Sequence, residues 1–501
     1  MNAHLEQLSP RPLWRHFRTL CNTPRPSGHE AALVALLERW ADGLGLAHDR
    51  DAFGNLRIRK PATPGHEQAP GVILQGHLDM VAQANADHAH DFTRDPIETR
   101  VGDDGWLHAR HTTLGADNGL GVAAALAILE DDALVHGPLE ALFTLEEESS
   151  MGGALNLAEE WLEGCLLLNL DSEDRGQVYI GCAGGADVLV DAQLPTAPPS
   201  PGEAPLSLSL TGLSGGHSGI DIHKGRGNAN RLLVRALRAL EPLGARLVDY
   251  HGGTLRNALP REAFATLLLP EEEHADARAR VAALAAELRA ELAGVDEGLS
   301  LSLTPTAAPA DEALTAEASR LLVRALHVAP CGVERMSVEL PGVVETSNNL
   351  GVVSLSAGRF HLCALVRSLR DSATADIADR FRALFELIGA RTRVENAYPG
   401  WTPDPASPLL ARFRRLHQER LGQDPEVKVI HAGLECGILG GKYPRLDMIS
   451  FGPLIRGAHS PDERVELSSV EEFWTLLRAL VEELATLGAE DADHAAHGAG
   501  R

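Results

Sequence analysis

The sequence predicts an α/β fold: a mixed, largely parallel sheet held between helices, interrupted by an inserted α+β segment. Short apolar runs that stop at acidic or histidine residues alternate with helical patterns over residues 1–185 and again over 399–488. Between them, over 186–398, strands alternate apolar and polar residues, as strands wet on one face do. At 501 residues, 44% hydrophobic and 23% charged, the chain has material for more than one core.

The elements follow in order. Leu33, Leu36, Leu37, Trp40 and Leu44 recur at helical spacing over Glu30–Leu46. Asp51–Asn55 reads as a turn and Leu56–Arg59 as a short strand. Gly71–Gly76 is a buried strand stopping at His77, and Gly121–Glu130 an apolar helix starting after Asp117-Asn118-Gly119. Leu139–Leu145 is a strand ending in three glutamates, and Cys165–Leu170 one ending in Asp171. Pro195–Pro205 reads as a long loop or linker. The string Leu-Ser-Leu-Ser-Leu-Thr occurs at Leu206–Thr211 and again at Leu299–Thr304, either a duplicated strand–helix unit or chance. Helices are expected over Asp276–Leu292, Ala313–His327, Ala375–Leu387 and Val470–Leu487, with a strand end at Met448–Phe451. The tail 489–501 has nothing to bury and is expected to be disordered.

Basic residues number 45 and acidic residues 70, a formal net charge of −25, with lysine only at 60, 224, 428 and 442. Such a chain repels phosphate backbones and anionic membranes, so neither nucleic acid nor membrane is expected as a partner. The six cysteines form no C-x-x-C pair, which argues against a zinc finger or a disulfide scaffold. Met1–Glu6 lacks the basic start of a signal peptide, and no run approaches the ~18–20 apolar residues of a membrane span. A cytoplasmic protein is expected.

In open α/β sheets, ligands sit beyond the carboxyl ends of the strands. Those ends here carry His77-Leu78-Asp79, Glu146-Glu147-Glu148 and Asp171, a later one leads to His459, and a helix begins at Asp117. Each has a plain alternative taken singly: His-x-Asp as a strand-end turn, Asp117 as a helix N-cap, the glutamates as a solvated charge run. Together they differ. Three adjacent carboxylates after a buried strand repel one another, and Asp171 is costly to bury without a partner. A bound dication resolves both, so the set predicts a metal site.

These motifs resemble a family. Gly76-His77-Leu78-Asp79-Met80-Val81, Gly115-Ala116-Asp117-Asn118-Gly119, the glutamates before Met151-Gly152-Gly153-Ala154, Asn169-Leu170-Asp171-Ser172-Glu173 and Ala458-His459-Ser460-Pro461-Asp462-Glu463 stand in the order seen in the two-zinc peptidases. That family includes peptidase T, the glutamate carboxypeptidases and the carnosinases. Ile180–Gly185, Gly253–Ala258 and His431–Gly437 resemble its aminoacyl-histidine dipeptidase branch, and the likeness runs from about residue 10 to 487.

The resemblance implies a catalytic domain in two segments (1–185 and 399–488), a lid or substrate-binding domain at 186–398, and two zinc ions, with manganese or cobalt as alternatives. His77 and Asp171 would hold one ion, Glu148 and His459 the other, with Asp117 bridging. Asp79 would orient His77, and Glu147 would be the general base for hydrolysis of Xaa-His dipeptides. Two cations ~3.5–4 Å apart do need a shared anionic ligand, and mixed histidine and carboxylate shells suit zinc. His217 and Asn257 would bind the oxyanion or substrate, Arg367 its C-terminal carboxylate, and Gly433 and Glu435 would shape the pocket. A homodimer is implied as well. The family pattern Asp-Glu-Glu-x-Gly is here Glu146-Glu147-Glu148-Ser149-Ser150, which leaves the glutamate register open by one until Met151–Ala154 fixes it.

Rival readings remain. Gly212-Leu213-Ser214-Gly215-Gly216 fits the G-x-S-x-G elbow of a serine hydrolase built on Ser214, but a poor helix start follows it. An amidohydrolase cleaving N-acyl amino acids would use the same metals. Gly225–Asn230 lacks the Lys-Ser/Thr ending of a phosphate loop.

Overall fold

The computed structural model describes residues 1–85, 87–306 and 310–488; the expected disordered tail, 489–501, lies outside them. The chain forms two compact units. The first comprises Met1–Gly181, Pro403–Val429 and the chain from Leu434; the second, Cys182–Thr402 with Ile430–Gly433, is inserted into it.

In the first unit an eight-stranded sheet runs in the order Ala47–Arg50, Leu56–Lys60, Leu139–Thr144, Val72–His77, Leu166–Asn169, Asp447–Ser450, Gln177–Cys182, Glu426–Ile430. Parallel pairing joins the four strands from Leu139–Thr144 to Asp447–Ser450, while Ala47–Arg50, Leu56–Lys60 and Gln177–Cys182 add antiparallel neighbours. Val72–His77, Leu139–Thr144 and Leu166–Asn169 are buried at every residue, which is why they read as mostly apolar runs without a wet face. The helix Ala116–Glu130 is apolar on all sides because it is buried on all sides. Gly45 at φ 67 ends the helix Ala31–Leu44, and Ser407 caps Pro408–Leu421 by accepting the N–H of Leu410.

A small sheet orders Ile455–Arg456, Arg464–Glu466, Trp106–Ala109 and Thr99–Val101. Its first two strands form a hairpin, Ile455 opposite Val465, whose loop carries His459 at φ 64.

The second unit is built on an antiparallel nine-stranded sheet, with the helices Ala229–Leu240, His274–Glu291, Ala316–Val328 and Asp371–Glu386 contributing to its core. The twin Leu-Ser-Leu-Ser-Leu-Thr strings pair with each other: Leu208 faces Leu303, Leu210 faces Leu301, and the Ser209 and Ser302 hydroxyls meet at 2.8 Å. The leucines are buried, so one alternating pattern serves two neighbouring strands. Pro195–Pro205 is no linker between the units. It lies within the second unit, Thr196–Ala197 pairing with Ala313–Leu314 before a strand opens at Glu203. That pairing also takes Ala313 and Leu314 out of the expected helix, which begins at Ala316. The expected helix starts at Gly121 and Ala375 lie earlier, at Ala116 and Asp371.

Candidate metal centre

Three adjacent strand ends, one helix start and one loop of the first unit bring seven of the expected residues together. His77 ends its strand, Glu147 and Glu148 open a single helical turn after Leu139–Thr144, and Asp171 follows Leu166–Asn169. Asp117 lies in the first turn of the helix Ala116–Glu130, and His459 in the hairpin loop.

Asp117 is the centre of the arrangement. Its Oδ1 lies 3.1 Å from His77 Nε2 and its Oδ2 3.2 Å from His459 Nε2. His77 Nε2 is also 3.3 Å from Asp171 Oδ1 and 4.0 Å from Glu147 Oε2, while His459 Nε2 is 3.0 Å from Glu148 Oε2. Three sets, His77/Asp117/Asp171, Asp117/Glu148/His459 and His77/Glu147/Glu148, each gather ligand atoms within 4.8 Å of one another. Asp79 sits behind His77, 3.3 Å from Nδ1.

The donor set fits two dications. Glu148 Oε1 and Asp171 Oδ1 are buried and accept no hydrogen bond among the described residues. Protons otherwise carry the compensating charge. Burial would lower His77, but the carboxylates of Asp171, Asp117 and Asp79 raise it well above the ordinary imidazole range. Contacts with Asp117 and Glu148 push His459 up to about 11. Burial raises Glu147, with the negative charges of Asp171, Glu148 and Glu435 adding to it, and burial lifts Asp171 to about 7 despite His77. Asp117 goes the other way, because His459 and His77 outweigh its burial.

The surrounding structure explains one glycine of the motifs, Gly76, and one just beyond them, Gly121. A Cβ on Gly76 would meet Asn118 Oδ1 at 2.2 Å, and one on Gly121 would meet Leu170 O at 2.4 Å. Asn118 occupies that space and donates to Leu170 O at 2.7 Å, tying the Asp117 segment to the strand end before Asp171.

Glu435 opens the helix Glu435–Lys442 of the same unit. Fully buried, it accepts hydrogen bonds from Gln75 Nε2 at 2.6 Å and Thr144 Oγ1 at 2.8 Å, while its Oε1 has no hydrogen-bond partner among the described residues. Sequence reasoning missed Gln75 and Thr144. Both are buried strand residues whose polar side chains carry no motif.

The remaining expected residues lie in the second unit. His217 Nδ1 accepts the N–H groups of Gly219 and Ile220 at 3.2 and 3.1 Å. Arg367 is buried on the strand Arg359–Ser368 and donates to the Tyr398 hydroxyl at 2.9 Å, with no carboxylate paired to it among the described residues. A Cβ on Gly219 would fall 3.2 Å from both Arg367 Nε and His217 Cε1, so the three are gathered at one point. Asn257 is exposed, its backbone carbonyl accepting the Ser218 N–H at 2.9 Å, and Gly433 closes the short stretch Ile430–Gly433. His431, which opens a recognised motif but was given no role from sequence, is buried with Nε2 2.7 Å from Ser347 Oγ. Burial, then the positive charge of Arg367, holds it neutral with a pKa of about 3.

Ser214 does not form a nucleophile elbow. Its hydroxyl donates to Val295 O at 3.2 Å, and the next helix starts only at Ala229. The glycine-rich Gly225–Asn230 leads into that helix, with Asn228 as its cap, accepting the N–H of Arg231 at 3.1 Å.

Known proteins share this arrangement of elements. The chain is 46% identical over 483 residues to the cytosol non-specific dipeptidase of Escherichia coli (strain K12), covering 96% of this chain and 99% of that protein. The crystal structure of aminoacylhistidine dipeptidase from Vibrio alginolyticus superposes with a TM-score of 0.90 at 44% identity, over 96% of this chain and 98% of that one. A Staphylococcus aureus tripeptidase, 16% identical with a TM-score of 0.55 over 96% of this chain and 100% of its own, shares the fold. Residues 73–483 match the family described as peptidase family M20/M25/M40, and the chain belongs to that family.

Proposed function

We propose that this chain is a two-zinc dipeptidase that hydrolyses Xaa-His and related dipeptides. The observation that carries the reading is the carboxylate of Asp117, each oxygen facing a different histidine, with unsatisfied carboxylate oxygens of Asp171 and Glu148 on either side. In this reading His77 and Asp171 hold one ion, His459 and Glu148 the other, and Asp117 is shared. Bound dications supply the Lewis acidity that polarises a peptide carbonyl and makes the attacking water acidic.

The chain's own residues do the rest. Glu147, whose Oε2 lies 4.0 Å from His77 Nε2 at the edge of the centre, is the proton carrier: it takes the proton of the attacking water and returns it to the leaving amine. Asp79 fixes the ring of His77 through Nδ1. Within the second unit, the buried guanidinium of Arg367 fits a C-terminal carboxylate, and His217 and Asn257 can donate to a substrate oxygen. Zinc, in place of manganese or cobalt, accords with the mixed imidazole and carboxylate donors. A cytoplasmic homodimer is part of the same reading. The name of the Escherichia coli relative supports the compartment, and no helix among the described residues is long and apolar enough to cross a membrane.

A panel of Xaa-His dipeptides including carnosine, other dipeptides and N-acyl amino acids, run with metal removed and restored, tests this. Metal-dependent cleavage of the dipeptides is expected. Turnover of the N-acyl amino acids alone would instead establish the amidohydrolase.

A further inference from the structure

We propose that Glu463, acting with Arg25, is a positioning residue that holds Asp117 between His77 and His459; the inference rests on the two-metal reading above. The segment that carries Asp117 does not hold itself. Asp117 (φ −79, ψ 117) and Asn118 (φ −98, ψ 31) are non-helical within the first turn of Ala116–Glu130, and Gly115 before them supplies no capping side chain. The free N–H groups of that turn are taken instead by one buried carboxylate from 346 residues away. Glu463 Oε2 accepts the N–H groups of Leu114 at 2.7 Å and Gly115 at 3.0 Å, and Oε1 those of Ala116 at 2.8 Å and Asp117 at 3.4 Å.

Arg25 grips the same segment from its carbonyl side. Fully buried, its guanidinium donates to Gly115 O at 2.5 Å and to Leu78 O and Asp79 O, each at 2.8 Å. It therefore ties the chain just after His77 to the chain just before Asp117. The two glycines of the Gly115–Gly119 motif are shaped by this contact. A Cβ on Gly115, at φ +67, would fall 2.6 Å from Arg25 Nη2, and one on Gly119 2.7 Å from it.

Glu463 also belongs to the loop that carries His459, four residues earlier. One loop thus brings an imidazole to Asp117 Oδ2 and a carboxylate to the Asp117 backbone. Without the carboxylate, four N–H groups lose their acceptor and Arg25 loses a nearby negative charge. The side chain of Asp117 would then lose its register between the two histidines.

Glu463→Gln tests this with little change of shape. Whichever way the carboxamide turns, its NH₂ faces backbone N–H donors, so part of the cradle is lost. Zinc affinity is measured by chelator competition on protein whose circular dichroism matches wild type, and kcat and KM are measured on a cleaved dipeptide. Zinc affinity is expected to fall ~10–100-fold, with a comparable loss of kcat that excess zinc partly restores. KM should stay within ~3-fold, because substrate contacts are untouched. Should Glu463→Gln fail to fold, Arg25→Lys, which keeps the charge and loses the fork, should shift both readouts in the same direction. Folded variants with wild-type zinc affinity and kcat, changed only in melting temperature, would overturn the proposal. Zinc affinity is read without substrate, so a zinc-binding wild type that cleaves no dipeptide overturns the substrate assignment alone.

Discussion

Asp79 accepts the backbone N–H of Glu147 at 3.0 Å through one carboxylate oxygen. The other oxygen accepts the N–H of Glu148 at 3.1 Å and the Ser27 hydroxyl at 2.7 Å. A side chain that faces His77 therefore also sets the turn bearing both glutamates. Burial would raise its pKa, but His77, Ser27 and the Glu147 N–H outweigh that and hold it at about 2.

Asp79→Asn should accordingly impair two groups at once. The carboxamide cannot accept from both N–H groups, so one of them is left against a donor. A loss of ~10–100-fold in kcat with weaker zinc retention is expected from steady-state kinetics and metal analysis. Loss of activity at full zinc occupancy would place the role of Asp79 on the glutamate turn alone.

Glu147 and Glu148 should separate by readout. Glu147→Gln should lower kcat ~10²–10⁴-fold and keep two zinc ions, whereas Glu148→Gln should lose metal, because His459 lies against Glu148. Loss of metal in Glu147→Gln, with the loss of kcat moving to Glu146→Gln, would shift the register of the glutamate run by one.

Chelation should destabilise the fold as well as stop turnover. Five acidic side chains, Asp79, Asp117, Glu147, Glu148 and Asp171, meet two imidazoles in a mostly buried space, and removing the cations leaves only protons to offset them. At a free zinc concentration a hundredfold above Kd the stabilisation is about 2.7 kcal/mol per site, visible as a rise in melting temperature when zinc is restored. A melting temperature indifferent to zinc would count against a site at this position.

His431 should contribute an acid-side slope to stability. Its folded pKa, about 3, lies below the ordinary 6.5, so between these values the unfolded chain binds the extra proton. Stability from this group is complete above pH 6.5 and falls as pH drops toward 3, by up to about 1.4 kcal/mol per pH unit. Denaturant titrations at pH 7, 6, 5 and 4 on wild type and His431→Gln should show the shallower slope in the variant.

Much of the centre was legible in the sequence for a physical reason. Val72–His77, Leu139–Thr144 and Leu166–Asn169 are buried along their whole length, so the polar residues just past them stand out against the apolar runs. Glu463 closed a recognised motif without a role of its own, and Arg25 did not stand out. They act on backbone N–H and carbonyl groups, which leave no pattern of partner side chains, and the residues they contact are hundreds of positions or a domain segment away. Gln75 and Thr144 were hidden likewise, each by burial in a strand with no local signal. The Pro195–Pro205 stretch misled because proline frequency reports missing N–H donors, and short edge pairings such as Thr196 with Leu314 tolerate that.

The paired Leu-Ser-Leu-Ser-Leu-Thr strings leave the second unit with a self-complementary border. Ser300–Pro305 is the last strand of its sheet, and its inner neighbour already demonstrates that this string hydrogen-bonds to a copy of itself. An open edge of that kind invites another molecule to add on, the first step toward aggregation. Two features of the strand oppose it: it is only six residues long, and it ends at Pro305, which has no N–H to offer. A substitution such as Pro305→Val, remote in sequence from the residues of the candidate metal centre, would remove that stop and expose the unit's solubility to its own repeated pattern.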